Sequence, residues 1–137
     1  VPAGATPEDG AMALLAALKA LERTMGRVQR ERWGPREIDL DLLLFGDAEI
    51  HVEREVAARS VDPTRVGLQW LDVPHPSAAE RSFVLAPLSE LAPELVPPGW
   101  AMSVDGARDR AAATEAPDAV TAVGAWDFRT GRWQEVA

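Results

Sequence analysis

Cysteine is absent from the 137-residue chain, which excludes disulfides and thiolate metal sites and fits a reducing cytoplasm. No apolar run approaches the ~20 residues that a membrane-spanning helix needs, so a spanning protein is excluded. A net charge of −8 and a pI near 4.7 argue against nucleic-acid binding, which needs a basic face. With 47% hydrophobic and 26% charged residues, the chain is typical of one globular domain.

The first predicted element is a helix over residues 7–25. Thr6 suits the N-cap, Pro7 suits the first helical position, and Gly26 is a C-terminal stop signal. A stripe of apolar residues recurs with the 3.6-residue period and is predicted to face the core: Leu14, Leu18, Leu21 and Met25. Residues 27–36 are dense in arginine and contain Gly34-Pro35, which predicts a loop.

Residues 38–45, with the sequence IDLDLLLF, alternate in a pattern that predicts a β-strand whose even-numbered face is core. Asp39 and Asp41 then share the other face, with Cα atoms roughly 6.6 Å apart at ~3.3 Å per residue. Such a pair of carboxylates can share one hard cation or hold two. The alternative is a solvated strand face whose acids keep an edge soluble.

Residues 22–36 hold five arginines and two glutamates in an otherwise acidic chain. A basic cluster beside paired carboxylates suits phosphoryl chemistry, because guanidinium forks bind phosphate oxygens. The alternative is that these arginines pair with surplus acids over the surface. Within this stretch Trp33 is either a packing anchor or a lid. Glu22, near the helix C-terminus, needs a compensating partner, either Arg27 or a ligand-bound cation.

Further along the chain, residues 48–70 suggest flanking short strands or a hairpin, and residues 78–91 suggest a helix. The tail from residue 101 either packs locally or forms an edge hairpin around Thr130-Gly131. His75 stands between two prolines, where it either donates to a phosphate or ribose oxygen or is an ordinary turn residue. Phe83, two residues after Arg81, is either a stacking platform or core.

Two long segments resemble 6-hydroxymethyl-7,8-dihydropterin pyrophosphokinases of folate biosynthesis. They are RWGPREIDLDLLLFGD (residues 32–47) and VPHPSAAERSFVLAPLSELAPEL (residues 73–95), and LERTMGR (residues 21–27) fits as well. The resemblance covers residues 6–98. It implies a cytoplasmic α+β protein with a ferredoxin-like sandwich, in which helices pack on an antiparallel sheet. It also implies transfer of the pyrophosphoryl group of ATP to the pterin hydroxymethyl group, which releases AMP.

The resemblance also implies roles for individual residues. Asp39 and Asp41 would bind two Mg²⁺ ions that bridge the phosphates of ATP, and Asp39 and Phe83 would contact the pterin. The remaining assignments are catalytic or nucleotide-binding: Arg27, Arg36 and Trp33 at the phosphates, and Glu22, Leu42, His75 and Arg81 around the nucleotide.

The sequence departs from the family pattern in three ways. The family's N-terminal strand region with its Gly-Ser-Asn motif is absent, Gln29 replaces a usual arginine, and residues 48–72 form a longer segment than usual. We therefore expect one N-terminally truncated domain over residues 1–137, with a divergent tail at 101–137. Two alternatives remain open. One is a non-catalytic remnant that binds nucleotide, a partner chain or itself through open sheet edges; the other is a different Mg²⁺-dependent nucleotide enzyme on the same scaffold.

Overall fold

The structure, a computed structural model, describes residues 5–33, 38–62, 65, 67–116 and 119–135, and of residues 27–33 the backbone alone. Three α-helices and four β-strands form in this part of the chain, together with 3₁₀ turns at Val56–Ala58 and Ala78–Glu80. In chain order they are α1 (Pro7–Trp33), β1 (Ile50–Glu53), β2 (Trp70–Val73), α2 (Ser82–Leu91), α3 (Val104–Ala112), β3 (Gly124–Asp127) and β4 (Arg132–Glu135).

The chain forms two compact units. The first comprises residues 1–78 and 96–101, and the second comprises residues 79–95 and 102–137. Each unit contains one antiparallel two-stranded sheet, β1–β2 in the first and β3–β4 in the second. The combination of helices with small antiparallel sheets agrees with the predicted α+β class.

Helix α1 begins where the sequence predicts. The Asp9 backbone N–H donates to Thr6 Oγ1 at 3.2 Å, and the Thr6 N–H donates to Asp9 Oδ2 at 3.3 Å, which closes a reciprocal cap. The predicted end at Gly26 is wrong, because the helix continues to Trp33 and takes in most of the predicted loop. An internal glycine costs only about 1 kcal/mol, and the arginine- and glutamine-rich stretch after it consists largely of good helix formers.

The buried face of α1 also differs from the predicted stripe. Leu14, Leu21 and Met25 are exposed, whereas the buried positions of the helix are Ala11, Met12, Leu15, Lys19 and Glu22. The helix is therefore rotated relative to the expectation. The pattern of apolar residues alone could not indicate this orientation of the helix, because two of the buried residues, Lys19 and Glu22, carry charges that neutralise each other.

The core of the first unit lies between α1 and the β1–β2 hairpin. In this hairpin Ile50 pairs with Val73 and Val52 pairs with Leu71, and these side chains face α1, where they join Met12 and Leu15. The intervening positions form the outer face of the hairpin: His51, Glu53, Trp70 and Asp72. The hairpin suggested for residues 48–70 is present, but its second strand begins at Trp70 and continues to Val73, beyond the predicted end.

Residues 38–45 do not form the predicted strand in the described part of the chain. A ladder needs repeated backbone hydrogen bonds to a neighbour. Here the inter-segment backbone bond is that from the His75 N–H to the Leu43 carbonyl, at 2.8 Å. Alternation survives in part: Asp39 and Asp41 are exposed while Leu40 and Leu42 are half-buried. Leu42 packs against the core, but so does Phe45 from the other face.

The second unit contains α2, α3 and the β3–β4 hairpin. The predicted helix over residues 78–91 is divided into a 3₁₀ turn followed by α2. Ser103 caps α3 by accepting the Gly106 N–H at 3.1 Å. The hairpin predicted around Thr130-Gly131 is present, with Trp126 and Trp133 paired across the strands.

We expect Leu15→Ala to destabilise the first unit by about 2–5 kcal/mol, because Leu15 is fully packed and its truncation leaves a cavity. Leu14→Ala is the matched control on the same helix, since Leu14 is 40% exposed and should cost well under about 1 kcal/mol. Urea unfolding of both variants measures the difference. Equal losses would contradict the observed orientation of α1.

The turn of the β3–β4 hairpin is expected to loosen in acid. The Arg129 backbone N–H, which donates to Asp127 Oδ1 at 2.8 Å, holds the pKa of Asp127 below its usual value, helped by Thr130. Because the pKa of Asp127 is lower in the folded turn, its ionised carboxylate stabilises the turn at pH values above 3.8, the pKa in the unfolded chain. This stabilisation is lost as the pH falls through the lower pKa of the folded turn. Circular dichroism of the Trp126–Trp133 pair should follow this loss, and Asp127→Asn should abolish its pH dependence.

Candidate functional site

The candidate site is built around residues 38–45, an extended segment of the first unit that is fixed at two points. The Leu40 N–H donates to Glu22 Oε1 at 2.5 Å, which ties the segment to α1. The Leu43 carbonyl accepts the His75 N–H, which ties it to the residues after β2. The segment is therefore attached to α1 just before Asp41, at Leu40, and to the residues after β2 just beyond it, at Leu43.

A buried ion pair forms the first attachment. Lys19 Nζ lies 2.9 Å from Glu22 Oε1, and the two side chains are only 3% and 2% exposed. The same ammonium lies 3.2 Å from the Leu40 carbonyl oxygen and 3.5 Å from Asp39 Oδ1. Glu22 has the compensating partner that the sequence requires, but that partner is Lys19, one turn earlier on the helix.

Asp39 and Asp41 both present exposed side chains on the extended segment, and their binding of a shared cation stays a prediction. The Asp39 side chain is 67% exposed, and Asp41 is exposed as well. In the described part of the chain, no group of three His, Asp or Glu residues that could hold a metal forms. Mg²⁺ does not require one, because it is bound through one or two carboxylates, with waters and phosphate oxygens as its other ligands. The two oxygen donors present fit such an ion.

One cleft of the first unit brings together three of the predicted residues. Asp41, Leu42 and His75 line it together with Trp70, and its remaining walls are Leu15, Arg54, Leu71, Asp72 and Pro76. A carboxylate, an apolar side chain, an imidazole and an indole thus surround one concave surface. Pockets that hold small molecules combine apolar walls with a few polar groups in this way.

His75 is held in one tautomer by its neighbours. The Ser77 N–H donates to His75 Nδ1 at 3.2 Å, so Nδ1 accepts and the neutral ring carries its proton on Nε2. The imidazole is half-buried. Its Nε2–H is the donor that a ligand oxygen in the cleft could accept.

The outer face of the β1–β2 hairpin supplies a stacked pair at the same cleft. The rings of His51 and Trp70 lie 4.6 Å apart with an interplanar angle of 8°, and His51 Nδ1 contacts Asp72 Oδ1. Arg54 Nε donates to the Trp70 carbonyl at 2.9 Å. These contacts fix the indole that lines the cleft.

Glu22 and Asp39 border a second cleft of the same unit. Its other walls are Ile38, Ser60, Val61, Asp62 and Arg65. Asp39 and Asp41 therefore stand at neighbouring clefts, one on each side of Leu40. The predicted nucleotide contact of Glu22 stays a prediction, and its carboxylate is already engaged by Lys19 and the Leu40 N–H.

Arg81 and Phe83 belong to the second unit. Arg81 is the residue before α2, and its guanidinium carbon lies 5.9 Å from the centroid of the Phe83 ring. Phe83 is 64% exposed, so the interpretation of it as core is wrong. An exposed ring with a cation over one face is compatible with the stacking role.

The remaining predicted residues lie where the structure describes little or nothing. Arg36 lies outside the described residues, and Arg27 and Trp33 are described only as backbone in the last turns of α1. Their assignments to the phosphates remain predictions.

Three residues that line the first cleft were missed from the sequence, Arg54, Trp70 and Asp72, and so was the buried position of Lys19. A signal for Lys19 was present, because it is the sole lysine beside thirteen arginines and lies three residues before Glu22 on the helix. The other three come from the long segment between residues 48 and 72. Their relation depends on the β1–β2 register, which no local pattern specifies.

The described residues thus combine an α+β architecture with two exposed carboxylates beside a cleft of mixed polar and apolar lining. Comparison with known families narrows the class of protein. The family model described as 7,8-dihydro-6-hydroxymethylpterin-pyrophosphokinase matches residues 4–93, about two thirds of the chain. The chain belongs to this family, as the two sequence segments indicated.

Similar curated proteins carry the same name. The chain is 40% identical over 85 residues to the 2-amino-4-hydroxy-6-hydroxymethyldihydropteridine pyrophosphokinase of Synechocystis sp., covering 62% of this chain and 35% of that protein. It is 44% identical over 82 residues to the protein of the same name from Pseudomonas aeruginosa, covering 60% and 41%. With Methylorubrum extorquens the values are 40% over 83 residues, 61% and 42%. The chain thus matches roughly two fifths of the length of these relatives.

None of the described helices combines the length and the apolar character needed to cross a bilayer.

Proposed function

We propose that the chain serves the transfer of a pyrophosphoryl group from ATP to 6-hydroxymethyl-7,8-dihydropterin, which yields the pterin diphosphate and AMP. The observation that carries the proposal is the pair Asp39 and Asp41, exposed on one extended segment, of which Asp41 lines the cleft formed with Leu42 and His75. Membership in the pyrophosphokinase family supports the same reaction.

In the proposed reaction the pterin hydroxymethyl oxygen forms a bond to the β-phosphorus of ATP, and the bond from that phosphorus to the α–β bridging oxygen breaks. The protein's task is positioning and charge neutralisation, because no covalent intermediate is needed. Asp39 and Asp41 would hold Mg²⁺, which supplies neutralisation of the phosphate charge when bound.

The residues around the carboxylates have separate tasks in this proposal. Leu42 and Trp70 offer apolar surface to the nucleotide in the cleft, and His75 Nε2–H donates to one of its oxygens. Arg27 and Arg36 bind phosphate oxygens, and Trp33 closes over them. For five of these six residues the proposed task is the one that the family resemblance implies. The task of Trp70 is inferred from its place in the cleft.

The proposal also keeps the roles that the resemblance implies for Arg81 and Phe83. In the proposal, Arg81 contacts the nucleotide and Phe83 stacks on one face of the pterin. Support for the stacking role is the 64% exposure of the phenylalanine, since an aromatic ring that serves only as core would be covered.

The proposal includes finer features that rest on the resemblance. They are two Mg²⁺ ions, a ferredoxin-like sandwich, one domain over residues 1–137 with a divergent tail at 101–137, and a cytoplasmic location. Self-association through open sheet edges is supported by the size of the β1–β2 sheet, which has only two strands in the described part of the chain.

The test is AMP formation by this chain with ATP, Mg²⁺ and 6-hydroxymethyl-7,8-dihydropterin, followed by chromatography of AMP and the pterin diphosphate in one reaction. We expect both products to appear in equal amounts and only when the pterin is present. Asp39→Asn should stop the reaction. Asp47→Asn is the matched control, because Asp47 is an exposed acid of the same segment outside the carboxylate pair.

Binding of Mg²⁺–ATP, measured separately by calorimetry, distinguishes the enzyme from the binding-module alternative. Nucleotide binding that depends on Asp39 without any product from the folded chain would favour the module. The names of the relatives support the enzyme, since each is called a pyrophosphokinase.

A further inference from the structure

Lys19 is a buried charge whose position the proposed reaction does not by itself explain. Its side chain is 3% exposed, and its ammonium contacts oxygens from two parts of the chain. These are Glu22 Oε1 at 2.9 Å on α1, and the Leu40 carbonyl at 3.2 Å and Asp39 Oδ1 at 3.5 Å on the extended segment. An ammonium has three donors, and each has an acceptor here.

Neutralising the charge of Glu22 would not require Lys19 to contact Asp39 as well. Glu22 and Lys19 face each other three residues apart on the helix, which is sufficient for an ion pair. The reach to Asp39 instead places a fixed positive charge beside one of two carboxylates that lie two residues apart. Without a cation these carboxylates repel each other, and Lys19 offsets part of that repulsion.

The charge of Lys19 remains when a cation arrives. The ammonium is pinned by Glu22 and by the Leu40 carbonyl, so it cannot swing away into solvent. A divalent ion on Asp39 therefore meets a permanent positive neighbour, which weakens its binding. ATP phosphates bring negative charge to the same place and compensate that penalty.

We propose that Lys19 is a positioning residue that acts as the resident counter-ion of Asp39 and couples cation binding to nucleotide binding. The inference rests on the proposed function, because it takes Asp39 and Asp41 as the cation site. Under it the site binds a bare divalent cation weakly and binds the cation together with ATP well.

The decisive variant is the double substitution Lys19→Met with Glu22→Gln. Glutamine keeps an oxygen acceptor for the Leu40 N–H, and methionine fills the space of the lysine stem without its charge. No buried charge is then left without a partner. Glu22→Gln alone, which retains Lys19, and Lys19→Arg, which retains the charge, are the matched controls.

The measurement is the dissociation constant of Mn²⁺ by electron paramagnetic resonance, with the metal alone and with a non-hydrolysable ATP analogue. For the double variant we expect binding of the metal alone to be about tenfold tighter than for Glu22→Gln alone, from which it differs only by the charge of Lys19; this is the scale of one unit charge acting on a divalent ion at this range. With the analogue present the change should be below about twofold, because phosphate charge already compensates Lys19. Lys19→Arg should behave as the wild type.

A purely structural Lys19 gives a different result. If the folded double variant binds Mn²⁺ alone within twofold of Glu22→Gln while Asp39→Asn abolishes that binding, the counter-ion role is overturned and the cation site stands. If Asp39→Asn leaves Mn²⁺ binding unchanged, the cation site fails and the role of Lys19 falls with it. Should the double variant not fold, judged by circular dichroism, Lys19→Gln with Glu22→Gln replaces it under the same criteria.

Discussion

Asparagine at position 39 or 41 is expected to reduce AMP formation by at least about 10²–10³-fold, the scale of losing one preorganised charge-stabilising group. Either substitution removes the negative charge that a divalent cation needs and leaves the size of the side chain unchanged. Rates are to be measured at saturating ATP and over a range of Mg²⁺ concentrations. If the rate of a variant recovers fully at high Mg²⁺, the substitution has weakened the binding of the cation and has no further effect on the reaction.

Neither substitution should unfold the protein. Asp39 is 67% exposed and its one described ion pair, at 3.5 Å to Lys19, is long. An exposed contact of this kind contributes at most about 1 kcal/mol. The urea midpoints of both variants should therefore stay close to that of the wild type, and Asp47→Asn should match the wild type in rate as well. Full activity in either Asp39→Asn or Asp41→Asn would contradict the assignment of that carboxylate to the cation.

Local signals predicted local structure well in this chain. The start of α1 follows from Thr6 and the acids of the first turn, which form hydrogen bonds within four residues. The β3–β4 hairpin likewise follows from its turn, where Gly131 has a φ of 64° that favours glycine. In both cases the partners are neighbours in sequence, so composition and order determine the contact.

Features with distant partners were predicted less well. The stripe of Leu14, Leu21 and Met25 has a helical period, yet these residues are exposed while Lys19 and Glu22 are buried. Periodicity assumes that charge stays outside, and it fails where two charges neutralise each other. The strand over residues 38–45 fails for a related reason, because alternation describes the faces of a segment but not whether a neighbour pairs with it.

The site shows the same division. Asp39, Asp41, Leu42 and His75 were found because a family motif fixes their types and spacing, and three of them line one cleft. The indole of Trp70 was missed, because its place depends on how β1 and β2 pair across the segment between them. Sequence reasoning thus singled out residues by type and spacing, and it missed one whose place depends on strand pairing.

The second large effect is expected at the Lys19–Glu22 pair. Lys19→Met alone, or Glu22→Leu alone, should lower the free energy of unfolding by about 3–5 kcal/mol, because each leaves one buried charge without its partner. Glu22→Leu also removes the acceptor of the Leu40 N–H, so it should be the more damaging of the two. Urea unfolding at pH 7 measures both losses, with Arg23→Met as the control, an exposed charge next to Glu22.

The double variant Lys19→Met with Glu22→Gln completes the cycle and decides between two views of the pair. A buried ion pair is often no more stabilising than a neutral pair of similar volume, since desolvation offsets the attraction. The double variant should therefore unfold within about 1–2 kcal/mol of the wild type, far less than the sum of the single losses. Additive losses would mean that Lys19 and Glu22 act independently, which the 2.9 Å contact between them does not allow. If the double variant is nearly as stable as the wild type, stability does not require a charged residue at position 19. The contact with Asp39 then remains as the reason for the charge of Lys19.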